Sequence, residues 1–202
     1  MKLYWTPLSP YARKVIVAAH EHDLSGRIEM IETKVSPPNP ELMQHNPLNK
    51  VPALVLDDGE SIYDSVVISE YLDAISGNTF IPADPVQRAK VRRGEALGDG
   101  VADAGITAFT ERKREASRQD AAWISRQMDK VDAGIEAIAR ELGGRPFLGG
   151  EKMNLADIAC GCALFWVEFR MPELGWREAR PNLKAWAGRL EMRPSFDGTR
   201  PG

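Results

Sequence analysis

Every convincing extended segment in this sequence lies before residue 64, whereas beyond residue 85 the apolar residues follow helical patterns only. That asymmetry predicts a small mixed α/β unit followed by an all-helical one. In the first part, residues 2–4, 28–31, 53–56 and 61–63 read as strands, and residues 10–20 and 65–76 as helices. The element order is therefore βαβ, then ββα. Asp57-Asp58-Gly59 supplies the turn of a hairpin between the last two strands. Ile68, Leu72 and Ile75 fall at i, i+4 and i+7, a stripe suited to covering the sheet, and Gly77-Asn78 supplies the stop. Ser36, Pro37, Pro38 and Pro40 read as a loop between the two motifs. Pro82, Asp84 and Pro85 break the pattern again, after which residues 86–115, 119–142, 155–170 and 183–191 read as helices.

Composition narrows the function. At 202 residues, 43% hydrophobic and 27% charged, the chain can bury a core without disulfides. Its formal net charge of −3 offers no field for nucleic acid. Pro7, Ser9, Pro10 and Arg13 interrupt the first apolar stretch before a signal-peptide core can form, and residues 15–19 are too short a run to cross a bilayer. A cytoplasmic protein with no membrane partner is expected. Cys160 and Cys162 stand two apart in a helical pattern, which points them to different faces and excludes a mutual disulfide or shared metal ligation. His20, His22 and His45 lack paired metal-ligand spacing, and no metal is expected. There is no P-loop, dinucleotide glycine fingerprint or Gly-x-Ser-x-Gly elbow.

Three local patterns carry chemistry. Ser9-Pro10 fits a helix start, with serine as N-cap and proline in the first helical position. A hydroxyl there stands at the positive end of a helix dipole, where an anion such as a thiolate is stabilised. Val51-Pro52 precedes a strand; a cis bond would turn the backbone of Val51 outward, available to an extended peptide-like ligand. Asp64-Ser65 opens the next helix, with amides for a carboxylate and Asp64 for an ammonium group. Capping and a strand start account for each pattern separately without any ligand.

Taken jointly, the three patterns resemble the N-terminal domain of glutathione transferases. Asn46-Pro47-Leu48-Asn49-Lys50-Val51-Pro52-Ala53-Leu54, followed by Asp64-Ser65, Ile68 and Tyr71-Leu72, is similar to that family's glutathione-binding segment. Asn154-Leu155-Ala156-Asp157 is similar to the capping motif of its late core helix, with asparagine where serine or threonine is usual. The resemblance spans essentially the whole chain. It implies a thioredoxin-like domain over 1–77, a linker over 78–84, an all-helical domain over 85–202, and a homodimer. It implies that Ser9 donates to the glutathione sulfur, that Val51 beside Pro52 pairs with the cysteinyl backbone, and that Asp64 and Ser65 hold the γ-glutamyl end. Asn49 and Lys50 are the candidates for the glycyl carboxylate.

Ser9-Pro10-Tyr11-Ala12 also looks like the Cys-Pro-Tyr-Cys motif of glutaredoxins with both sulfurs replaced, which removes a dithiol cycle. Glutathione would then be the nucleophile and a small hydrophobic electrophile its partner. A glutathione-dependent isomerase, dehalogenase or peroxidase, and a non-catalytic binding module of the same fold, stay open as alternatives. The electrophile is expected between the domains, beside Leu8 and Tyr11, with Phe109, Arg112, Trp166 and Phe169 as further candidates. Gly94, Gly98 and Gly105 share one face of the first long helix and imply close approach by another helix, a dimer mate or substrate.

Overall fold

The computed structural model describes residues 1–77 and 79–200. The chain divides into two compact units, one of Met1–Ala83 with Arg193–Gly202 and the other of Asp84–Met192. Asn78, half of the expected helix stop, lies outside the described residues.

In the first unit the order is β1 (Lys2–Trp5), α1 (Pro10–Glu21), β2 (Glu29–Glu32), α2 (Pro40–His45), β3 (Ala53–Val55), β4 (Ser61–Ile62) and α3 (Ser65–Ile75). The strands form one sheet in the order β2-β1-β3-β4. β1 runs parallel to β2 and antiparallel to β3, and β3 runs antiparallel to β4. Adjacent residues of β1 serve opposite faces. Leu3 joins Val15, Ile16, Leu54, Ile68 and Leu72 in the main core, while Tyr4 packs with Leu42 and Ala53. Each of the leucine, isoleucine and valine side chains among these contributes about 1.5 to 3 kcal/mol by leaving water.

The Pro-rich stretch differs from its reading as loop. Asn39 caps α2, its Oδ1 accepting from the amides of Glu41 and Leu42, and Pro40 occupies the first helical turn. Proline marks a helix start here, because its missing N–H is not needed there.

The second unit contains α4 (Pro85–Arg112), α5 (Ala121–Leu142), α6 (Leu155–Arg170), α7 (Trp176–Ala179) and α8 (Pro181–Glu191). α6 is its centre, buried at every position from Leu155 to Val167. The glycine face of α4 is explained by this helix. A methyl at Gly94 would stand 2.5 Å from Ala156 Cβ, and one at Gly98 only 2.7 Å from the Cys160 amide nitrogen. That face is consumed by helix packing within the unit, so it is no surface for a second subunit. Both cysteines are buried on α6. Burial pushes the Cys160 thiol well above its ordinary value.

The last helix, α9 (Pro194–Asp197), belongs to the first unit, which corrects the expectation that 85–202 form one helical domain. The Arg13 guanidinium donates to the Phe196 carbonyl at 3.0 Å, and Arg193 Nε donates to Glu21 Oε1 at 2.7 Å. Burial pushes the Glu21 carboxyl up, but donors from Arg193 and Ser195 outweigh it and hold the group below its ordinary range. Among the described residues no helix is long and apolar enough to cross a membrane.

Candidate functional site

Sheet polarity brings the three patterns together. β1 points its C-terminal end toward Ser9, and the register Tyr4↔Ala53 sets the start of β3 beside that end. Since β4 is antiparallel to β3, its own C-terminal end, leading to Asp64, emerges on the same side. Ser9, Val51 and Asp64-Ser65 therefore leave the sheet at one end, where α1 and α3 both begin. Two helix N-termini at one place favour a bound anion.

Ser9 is the N-cap of α1, its Oγ accepting the Ala12 amide at 3.1 Å. Capping uses an acceptor lone pair and leaves the hydroxyl proton to be donated. No acceptor for that proton occurs among the described residues. Tyr4 offers a contrast. Its hydroxyl donates to Glu41 Oε1 at 2.8 Å, and burial together with Glu41 pushes its pKa up to about 12. That phenol is committed to the other face of the sheet.

The Val51–Pro52 bond is cis. Among the described residues neither the amide nor the carbonyl of Val51 has a backbone partner, whereas Ala53 enters the ladder. Asp64 is exposed and caps α3, its Oδ1 accepting the Val66 amide at 3.0 Å, and Ser65 is buried beside it at the first helical position.

Asn49 and Lys50 separate clearly. Asn49 has φ 52°, with Oδ1 accepting the Asn39 amide at 2.9 Å and Nδ2 donating to the Val35 carbonyl at 2.7 Å. Both ends of its amide brace the loop. Lys50 is exposed and contributes only its carbonyl, which accepts from Asn46 Nδ2 at 2.9 Å. Asn46 was given no role from the sequence. It is buried and also accepts the Leu48 amide at 3.1 Å, so it shapes the turn that delivers Lys50 and Val51. The Asn-Pro pair was the available signal, since asparagine bonds to its own backbone in turns.

Of the candidates in the helical unit, Trp166 is buried and meets Phe109 edge to face at 5.8 Å. Arg112 pairs with Glu173 at 2.9 Å, and Phe169 is exposed under the Arg170 guanidinium at 4.7 Å. Asn154 and Asp157 form the reciprocal capping box at the start of α6.

The profile described as "Glutathione S-transferase, N-terminal domain" matches residues 8–75, and that described as "Glutathione S-transferase, C-terminal domain" matches residues 121–189. The Escherichia coli uncharacterized GST-like protein YibF is 34% identical over 202 residues, covering 100% of this chain and 98% of its own length. A glutathione S-transferase from Methylobacillus flagellatus, solved with glutathione bound, superposes with a TM-score of 0.91 at 42% identity, over 100% of this chain and 99% of that one. One from Methylobacterium radiotolerans, solved with glutathione sulfonate, gives a TM-score of 0.93 at 38% identity, over 99% and 94%.

Proposed function

The chain belongs to the glutathione S-transferase family, and from that premise we propose that it transfers glutathione onto small hydrophobic electrophiles, with Ser9 as the group that activates the thiol. The observation that carries this reading is the Ser9 hydroxyl, which caps α1 through its oxygen and keeps its proton for the sulfur. A donor at a helix start stabilises the thiolate over the thiol, and the thiolate is the nucleophile.

Recognition of glutathione follows the same end of the sheet. Val51 pairs with the cysteinyl backbone, which extends the sheet by a strand-like contact beside Pro52. Asp64 takes the γ-glutamyl ammonium, and Ser65 with the first amides of α3 takes the carboxylate. Lys50 takes the glycyl carboxylate, because the side-chain amide of Asn49 is spent on Val35 and Asn39. The working form is a homodimer in the cytoplasm. The first unit leaves Met43, Leu48 and Val67 exposed, at 44%, 66% and 46%, as material for such a contact.

Passage over immobilised glutathione followed by elution with free glutathione tests binding, and conjugation of chlorodinitrobenzene tests transfer. The protein should be retained, eluted and active. Loss of retention overturns the reading; retention without turnover on a panel of electrophiles leaves a glutathione-binding module instead.

A further inference from the structure

α2 is six residues long and buries one side chain, Leu42. A helix this short does not hold its shape alone in water, and a single buried leucine offsets little of the entropy lost in ordering it. Residues 46–51, which follow it, form the loop that carries Lys50 and Val51. Helix and loop make one piece: the Asn46 amide donates to the Leu42 carbonyl at 2.8 Å, and Asn49 Oδ1 accepts the Asn39 amide at 2.9 Å. Two side-chain hydrogen bonds fasten that piece to the sheet, and among the described residues no other side-chain hydrogen bond joins residues 40–50 to a strand. In the first turn of α2, Glu41 Oε1 accepts the Tyr4 hydroxyl of β1 at 2.8 Å. At its last residue, His45 Nδ1 lies 2.9 Å from Ser61 Oγ of β4. The His45 ring also packs on the Tyr4 ring, with centroids 5.0 Å apart. Tyr4 stands opposite Ala53, so the fastening lies beside the start of the strand that follows the loop.

We infer that Tyr4, Glu41, His45 and Ser61 are positioning residues for glutathione: they keep α2 docked on the sheet, and α2 keeps Lys50 and the backbone of Val51 where the tripeptide meets them. The inference rests on the proposed recognition of glutathione at that loop. The four residues act without touching the ligand, through the fraction of molecules whose α2 is docked, and apparent affinity falls with that fraction.

Calorimetric titration with glutathione and amide exchange of the free protein test this together. Tyr4→Phe removes one hydroxyl and keeps the ring, leaving only the exposed Glu41 without its partner, and Ser61→Ala removes the other hydroxyl. Each should weaken glutathione by about threefold and the double variant by about tenfold, as expected for the loss of one and of two hydrogen bonds. The amides of Met43 and Asn46 should exchange faster by similar factors while those of β1 keep their protection. Ser61→Thr, which returns a hydroxyl at a strand position suited to threonine, and Glu41→Gln, which keeps an acceptor for Tyr4, should bind as the wild type does. A role confined to stability would lower the denaturant midpoint of the double variant and leave the affinity of its folded form unchanged, which overturns the inference. A loss that Ser61→Thr does not restore overturns it as well. Wild-type protein that fails to bind glutathione overturns the proposed function and this inference with it; a wild type that binds and a double variant that binds equally overturn the inference alone.

Discussion

Trp186 donates its indole N–H to Asp157 Oδ1 at 2.9 Å, tying α8 to the start of α6. The same carboxylate accepts the amides of Leu148, Gly149 and Asn154, at 2.7, 3.2 and 3.0 Å, and is fully buried. Burial pushes its pKa up, and these donors pull it back only in part. Asp157 is thus more than half of a capping box. Asp157→Ala orphans buried donors at about 1 to 3 kcal/mol each, and with partial relaxation the loss of stability should be about 3 to 5 kcal/mol. Trp186→Phe, which removes one donor and keeps the ring's bulk, should cost about 1 to 2 kcal/mol. Denaturant midpoints check both. The folded fraction of Trp186→Phe should turn over normally, and an unchanged midpoint with lost turnover would show the residue in the wrong role.

His22 places its Nε2 3.5 Å from Asp73 Oδ1 and its Nδ1 2.8 Å from Ser76 Oγ. Burial holds its pKa below the ordinary value, while Asp73, Glu21 and Asp23 oppose this incompletely. A base lowered on folding is protonated more readily in the unfolded chain, so stability is full above the unfolded pKa of about 6.5 and falls as pH drops toward the folded one. The denaturant midpoint should decline from pH 6.5 to 5, and His22→Gln should remove that slope. A proton-resonance titration of the ring should give a midpoint below 6.5; a midpoint above it would mean that the neighbouring carboxylates win.

Local signals mark where several elements of both units begin or turn. Ser9-Pro10, the Asp57-Asp58-Gly59 turn and the capping pair Asn154/Asp157 each act over a few residues, and the structure has elements beginning or turning at all of them. Contacts distant in sequence were beyond reach. Nothing near Arg193 announces that it bonds Glu21, and nothing near Trp186 announces Asp157. α2 was lost for another reason: Pro38 and Pro40 mark a loop and a helix start with the same residue type. The glycine face of α4 was legible as a close approach, but its partner, α6, was not. At the proposed site, the bracing role of the Asn49 amide was not readable, because it depends on the loop's contacts to Asn39 and Val35.

Asn49 and Lys50 give a paired prediction. If Lys50 holds the glycyl carboxylate as proposed, Lys50→Ala should weaken glutathione by about tenfold, with stability little changed. Asn49→Ala removes the braces to Val35 and Asn39 and puts alanine at a left-handed φ, so it should lower stability by about 1 to 2 kcal/mol. Calorimetric titration and denaturant midpoints separate the two. Equal losses of affinity from both, with stability intact, would return Asn49 to direct ligand contact.

The proposed homodimer is tested by light scattering, which should report about twice the mass of one chain at micromolar concentration. Leu48, at 66% exposure, is the largest apolar exposure in the first unit among the described residues. Leu48→Asp should shift the population toward monomer without loss of the fold, since a charge at an apolar contact is desolvated without a partner. A wild-type monomer would remove the dimer, while glutathione binding could survive.

The proposed activation of glutathione by Ser9 can be checked by magnitude. A free cysteine thiol titrates near about 8.5, so only about 3% is thiolate at pH 7. A fall of about two units requires roughly 2.7 kcal/mol, which one hydrogen bond to a charged acceptor, about 1.5 to 3 kcal/mol, and a helix dipole, about 0.3 to 1 kcal/mol, together supply. The thiolate fraction at pH 7 then rises to about 75%, a gain of about twenty-five-fold. Ser9→Ala should therefore keep glutathione binding within a fewfold, raise the bound thiol pKa, and lower turnover by about tenfold to thirtyfold at neutral pH. The deficit should close as pH rises past 8.5, where the thiol ionises unaided; loss of the cap, about 1 kcal/mol of stability, is read separately from the denaturant midpoint. Ultraviolet titration of the bound thiolate decides the matter directly. An identical pKa in wild type and Ser9→Ala would reduce Ser9 to a helix cap and pass the donor's role to Tyr11 or to a backbone amide of α1.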